Sequence, residues 1–319
     1  MGDPAGIGPE IILKALADRS DPPGPKIYIL GDTGILAATA RSLGVELGSL
    51  GAEVIDLANV SGEIRPGIES RETGKASAEY IERAVGMWRR GEIDAIVTAP
   101  ISKSAVTSAG YDFPGHTEFL ASLTGTKQFA MSFFAEKLRV VLLSTHVSLR
   151  NAIDRLKKDA LAELIRFSGR ELSALIGREA RLAVAGLNPH ASEGGLFGTE
   201  EADEIIPAIE ACRADGVDVS GPFSPDTIFL RGFKGEFDGV IACYHDQATI
   251  AVKSLSFGNS VNVTLGLPLI RTSVDHGTAF DIAGKGIADG SSMKAAIKLA
   301  LELCSSGKGR PDPILTAHT

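Results

Sequence analysis

Cysteine is scarce in this chain of 319 residues. Cys212, Cys243 and Cys304 are odd in number, far apart and form no CxxC pair, so a disulfide framework is not expected and a reducing, cytoplasmic compartment fits. Long hydrophobic runs are also missing. Without a stretch of about 20 apolar residues nothing spans a membrane, and no signal peptide precedes the first motif. Positive charge is in deficit, with 32 Lys and Arg against 40 Asp and Glu and a net charge of −8. That argues against a nucleic-acid binder, which needs a basic face. No segment supplies a convincing GxGxxG fingerprint, so a standard Rossmann reading is weak.

What is present is ordinary globular material, 44% hydrophobic and 23% charged, enough for a sizeable core in one large or two modest domains. Short β-branched runs over Lys26–Leu30, Ala52–Asp56, Asp94–Ala99, Arg139–Ser144, Ala180–Ala185, Asp238–Tyr244 and Val261–Leu265 read as strands. Most are continuously apolar, the pattern of strands covered on both faces. Between them run helical stripes: Tyr80, Ile81, Ala84, Val85 and Trp88; Leu161, Leu164, Ile165, Ser168, Leu172 and Leu175; Ala296, Ile297, Ala300 and Leu303. The alternation predicts an α/β protein with a largely parallel sheet. Phe129–Phe134 and Leu138–Ser144, parted by Glu136-Lys137, predict an antiparallel hairpin, so the sheet should be mixed. There is no internal repeat and no low-complexity linker.

Glycines and histidines gather in a few loops after predicted strands, where open α/β sheets bind ligands. His146, His190 and His245 each follow a strand, a rigid mount for a good metal ligand. Asp246 beside His245 can be a further ligand or a hydrogen-bond acceptor for it. Any one of these alone reads more simply as a loop histidine bonded to backbone; spacing by itself leaves the metal open. His318 sits in the tail and has no role assigned. The opening Gly2-Asp3-Pro4-Ala5-Gly6-Ile7-Gly8-Pro9-Glu10 reads as a tight loop feeding a helix, with Pro9 in its first turn. Such a loop usually follows a strand, so a few residues are expected to be missing before Met1. The segment from Asp275 to Asp289 is too glycine-rich for a helix. Gly277, Gly284 and Gly286 there would let backbone approach a flat ligand. Asp281 could accept a ribose diol and repel a 2′-phosphate, favouring NAD over NADP. Lys253, Asn262 and Arg271 precede it. Arg271 suits an anion, whereas Lys253 serves equally well as a solvated surface charge.

Taken together, GDPAGIGPE, TAPISK, GHTEF, STH, NPH with EGG and GTEE, PDT, YHDQ, NVTLGLP and IRTSVDHGTAFDIAGKG resemble, over nearly the whole chain, the 4-hydroxythreonine-4-phosphate dehydrogenase family of pyridoxine biosynthesis and its paralogues. The opening and the glycine loop are also similar to isopropylmalate and isocitrate dehydrogenases. The resemblance implies a two-domain fold of that kind, with mixed, mostly parallel sheets, helices on both faces and a cleft between domains. Domain one would hold about 1–117 and 270–319. Domain two, about 118–269, would carry dimerisation and the metal ligands. The implied assembly is a homodimer with a shared site.

Carried over residue by residue, the resemblance makes His146, His190 and His245 the divalent-metal ligands, with the third coming from the partner subunit. Zinc is expected, with cobalt, magnesium or manganese as alternatives. His116 and Thr117 would contact the substrate phosphate or backbone. Lys253, Asn262 and Arg271 match further substrate ligands, and Asp226 and Asp246 match acidic residues near the site. His276, Gly277, Thr278, Ala279, Asp281 and Gly284 would hold the adenosine half of NAD. The implied chemistry is oxidation at C3 of 4-hydroxythreonine 4-phosphate and decarboxylation to 3-amino-2-oxopropyl phosphate, with the metal as Lewis acid. Lys103 and Asp246 are the candidates for general base. Leu196-Phe197 stand where the biosynthetic enzymes tend to carry His-Met, which leans towards the paralogues that convert 4-phospho-D-threonate or 4-phospho-D-erythronate to dihydroxyacetone phosphate. The cis-dihydrodiol branch tends to lack GHTEF, so His116 and Thr117 count against it. From another class, a non-catalytic metal-dependent phosphate sensor is the remaining alternative.

Overall fold

A computed structural model describes residues 1–18, 24–62, 64–256 and 258–305 of the chain; His318 lies outside them. The chain divides into two compact units, Met1–Lys127 with Leu267–Thr319, and Gln128–Gly266.

The first unit begins with α1 (Gly8–Ala17), which has proline in its first turn. There follow β1 (Ile27–Gly31), α2 (Thr33–Leu43), β2 (Ala52–Asp56), α3 (Arg71–Arg89), β3 (Ala95–Thr98), α4 (Lys103–Ser108) and α5 (His116–Thr124). β1 and β2 pair in parallel. α3 starts at a reciprocal cap: Ser70 accepts from the Thr73 amide and Thr73 accepts from the Ser70 amide, each at 3.1 Å. Its stripe of Tyr80, Ile81, Ala84, Val85 and Trp88 is buried. Only glycine fits at position 74 of that helix, because a Cβ there would lie 2.1 Å from the Ala105 carbonyl oxygen of α4.

The second unit contains β4 (Ala130–Ala135), β5 (Leu138–Leu142), α6 (Leu149–Arg155), α7 (Lys158–Ile176), β6 (Leu182–Ala185), α8 (Ile206–Ala214), β7 (Val219–Phe223), α9 (Pro225–Phe233), β8 (Gly239–Ala242), α10 (His245–Leu255) and β9 (Val261–Leu265). The chain then returns to the first unit through β10 (Ile270–Ser273) and α11 (Ser291–Ser305), and β10 pairs in parallel with β3. In the second unit the strands lie in the order β9-β4-β5-β8-β6-β7. β4 is antiparallel to both neighbours, and the remaining pairings are parallel. This is the mixed, mostly parallel sheet that the alternating pattern predicts. Helices cover both of its faces. Val240 joins the core formed with Ile228 and Phe229 of α9 and Ala248 and Val252 of α10. Its neighbour Gly239 points the other way, onto Leu172 of α7. Among the described residues no helix is long and apolar enough to cross a membrane.

Asp238, at the N-terminal end of β8, ties this sheet together at the end away from the histidines. It accepts from Arg178 at 2.8 and 2.6 Å, from Arg181 Nε at 3.1 Å and from the Arg181 amide at 2.9 Å. Burial pushes its carboxyl up, but the arginine hydrogen bonds outweigh burial and hold it well below the usual carboxylate range. A folded-state pKa below the unfolded one means that this contribution is intact above about pH 4 and fades as pH falls below it. Asp238→Asn is therefore expected to cost about 1 kcal/mol at neutral pH, the half-exposed arginines being screened by water. Thermal melts of both proteins should converge as pH drops below about 4; equal Tm values at neutral pH would contradict the assignment.

Candidate active site

Within the first unit, cationic groups converge at the N-terminus of α5. His116 and Thr117 are its first residues, placed after the extended Gly115. Arg271 on β10 is 4% exposed and donates to Thr98 Oγ1 from Nε at 3.2 Å and Nη2 at 2.9 Å. Burial lowers the Arg271 pKa to about 10, opposed by the Glu118 carboxylate. Burial first, then the charge of Arg271, holds His116 well below the usual histidine range, and Lys103 adds to the effect. His116 is thus neutral in the unliganded protein at pH 7. The Lys103 stem lies against Gly115, its Cε 3.8 Å from where a Cβ would stand. Ser102 and Ser104, on either side of Lys103, both donate to Glu69. A helix N-terminus with Lys, Arg and a histidine able to take up a proton is suited to a phosphate dianion. Glu118 is the member of this cluster that sequence reasoning passed over; its place in the first turn of α5 was the available signal.

In the second unit, the loop after β5 and the start of α10 bring His146 and His245 together, with ring centroids 5.6 Å apart. Thr145, His146, Ser148, Tyr244, His245 and Asp246 help to line a cavity of about 390 Å³. His245 Nδ1 lies 2.7 Å from Asp246 Oδ1, leaving Nε2 for another partner. Among the described residues no group of three or more His, Cys, Asp and Glu is arranged to hold a metal ion, so the pair is not completed into a three-ligand set by His190. The His190 backbone is left-handed (φ 53°), as are those of Ala191, Ser192 and Glu193. Each such residue costs about 1–3 kcal/mol, a strain that clusters at functional loops. Ser224 Oγ lies 3.5 Å from His190 Nδ1 and donates to Asp226 Oδ1 at 2.5 Å, so Asp226 reaches His190 through Ser224. Ser224 was missed in the sequence, although Ser-Pro-Asp ahead of a helix marks it. Lys253 lies in the last turn of α10 and Asn262 in β9, opposite Phe133.

The glycine loop belongs to the first unit. It contains Asp275, which accepts from Ser292 Oγ at 3.3 Å, and His276, whose buried Nε2 has no hydrogen-bond partner among the described residues. The Thr278 carbonyl accepts from the Ile7 amide at 3.0 Å, so the opening motif and the glycine loop are bonded directly.

Residues 25–300 match the model of the family described as pyridoxal phosphate biosynthetic protein PdxA. The chain is 46% identical to the 4-hydroxythreonine-4-phosphate dehydrogenase of Desulfosudis oleivorans, over 98% of this chain and 96% of the relative. It is 44% identical to the D-threonate 4-phosphate dehydrogenase of Cupriavidus necator, over 96% of each. The crystal structure of 4-hydroxythreonine-4-phosphate dehydrogenase from Klebsiella pneumoniae is similar, with a TM-score of 0.86 and 42% identity over 95% of this chain and 97% of that one. Fold and relatives together define an α/β oxidoreductase. More narrowly, the chain belongs to the pyridoxal phosphate biosynthetic protein PdxA family.

Proposed function

We propose that the protein is a metal-dependent NAD oxidoreductase that oxidises the C3 hydroxyl of 4-hydroxythreonine 4-phosphate with loss of CO2, giving 3-amino-2-oxopropyl phosphate. The observation that carries the metal reading is the His146–His245 pair with Asp246 behind it. Two imidazoles on one tetrahedral ion place their centroids about 5 Å apart, close to the separation here. A carboxylate on the other ring nitrogen is the usual companion of a metal-bound histidine. The donor set suits zinc best, with cobalt, magnesium or manganese as alternatives. His190 would complete the set in a homodimer with a shared site, and the exposed Leu149, Ile153 and Ile250 supply apolar surface for that homodimer. Such an enzyme belongs in the cytoplasm.

When bound, the ion supplies Lewis-acid polarisation of the C3 oxygen. The chain's own residues do the rest. Arg271, His116, Thr117 and Lys103 hold the phosphate, and Lys253 and Asn262 hold the remaining polar groups of the substrate. Asp226 orients His190 through Ser224. The loop bearing His276, Gly277, Thr278, Ala279, Asp281 and Gly284 carries the adenosine half of NAD, with Asp281 on the ribose diol. Asp246 is the group open to accept the hydroxyl proton.

A second substrate has its own support. Leu196 and Phe197, 72% and 45% exposed, stand in the His190 loop. An apolar pair offers no acceptor to a substrate ammonium, which favours a 2-hydroxy acid such as 4-phospho-D-threonate or 4-phospho-D-erythronate, yielding dihydroxyacetone phosphate. NADH formation by metal-supplemented enzyme, measured with the amino acid and the hydroxy acids side by side, separates the two. The preferred substrate should lead in kcat/KM by about tenfold or more, given what one unmatched polar group costs. NADH formation from none of them would end the dehydrogenase reading.

A further inference from the structure

The glycine loop has little regular structure of its own. Its backbone closes turns from Ile282 N to Ala279 O and from Lys285 N to Ile282 O. Gly284 and Gly286 are left-handed, at φ 75° and 71°. Its far end is held by two side chains of α1, one turn apart. Glu10, 3% exposed, accepts from the Ala288 amide at 2.7 Å and from Lys14 Nζ at 2.9 Å. Lys14 Nζ donates in addition to the Gly286 and Ala288 carbonyls, at 2.8 and 2.6 Å. All three ammonium donors are therefore in use, two of them on the loop. Ala288 is gripped at both its amide and its carbonyl.

We infer that the Glu10–Lys14 pair is a clip that sets the path of the dinucleotide loop, so that these two residues act on NAD affinity through the loop without touching the cofactor. The inference rests on the reading of this loop as the NAD site. A clip differs from a merely structural ion pair in what it moves. The loop presents backbone to the ligand, and backbone placement within a fraction of an ångström decides how many hydrogen bonds a ligand makes. Glu10 is buried, so breaking the pair lowers stability as well, and a loss of stability alone does not distinguish a clip from a structural ion pair. What distinguishes the clip is a loss of dinucleotide affinity in protein that is still folded.

The test is calorimetric titration of the metal-loaded full chain with NAD and with ADP-ribose, and separately with inorganic phosphate. Lys14→Met keeps the aliphatic stem and removes the three hydrogen bonds. It should weaken NAD and ADP-ribose binding by about tenfold and leave phosphate binding as in wild type. Lys14→Arg, which retains charge and donors, should recover part of the loss. If Lys14→Met binds both nucleotides as tightly as wild type, the clip is overturned while the NAD reading stands. If wild type binds neither nucleotide, both fall together. Should Lys14→Met not fold, Glu10→Gln carries the same comparison, with the same outcomes.

Discussion

His245→Ala is expected to lower metal-dependent NADH formation by at least about 100-fold, because removing a ligand costs more than removing its supporting hydrogen bond, itself worth 10–100-fold. Metal content measured on the purified protein should fall in step. Asp246→Asn provides the graded control. It keeps an oxygen near His245 Nδ1 but removes the charge, so metal affinity should weaken without being lost. A His245→Ala enzyme with wild-type metal content and rate would take the histidine pair out of the reaction. Full metal content with no turnover would instead place His245 on the substrate. The experiment thus reads position as well as importance.

Arg271→Met should raise KM for the phosphorylated substrate by about 10–100-fold, the value of one or two charge-assisted hydrogen bonds. The change also has a signature within the unliganded protein. Burial is the main cause of the depressed His116 pKa, and Arg271 is the next. Removing the guanidinium should let His116 take up a proton at higher pH than in wild type, visible in an NMR titration of its ring. The sign matters for stability. A histidine held low in the folded state destabilises the fold as pH falls from about 6.5 towards its folded pKa, so the variant should lose less stability than wild type over that window. An unchanged KM together with an unchanged His116 titration would mean that Arg271 is only a structural partner of Thr98.

Much of this architecture can be read in the residues because the physics is local. The β2 and β9 ranges agree with their apolar runs, and the hairpin of β4 and β5 turns at the polar Glu136-Lys137 break. Two strands escape the pattern. β7 reads Val-Ser-Gly-Pro-Phe, in which glycine and proline interrupt the apolar run. β10 reads Ile-Arg-Thr-Ser, whose polar side chains look like a loop until tertiary contacts bury them. At the site, motif spacing marks His146 and His245 as neighbours in chemistry, and the fold makes them neighbours in space. It gives no sign of the left-handed turn at His190, whose first four residues include no glycine. Lys103 is the other lesson. In the sequence it is a lysine able to act as a base, and in the fold it lies with His116 and Arg271, whose shared preference is for an anion.

The first unit is assembled from both ends of the chain, and this dictates an order of events during synthesis. All the strands from β4 to β9 are available once Gly266 has left the ribosome, so the second unit can close its sheet while the tail is still being made. The first unit has to wait. β3 lacks its partner until residues 270–273 appear, and the grip of Glu10 and Lys14 on residues 286–288 forms later still. Until then α1, with Ile7 and Ile11, has part of its apolar face uncovered, because Val274 and Met293 have yet to arrive. A stalled or truncated chain would therefore present a finished second unit beside a first unit that is sticky and open to proteases.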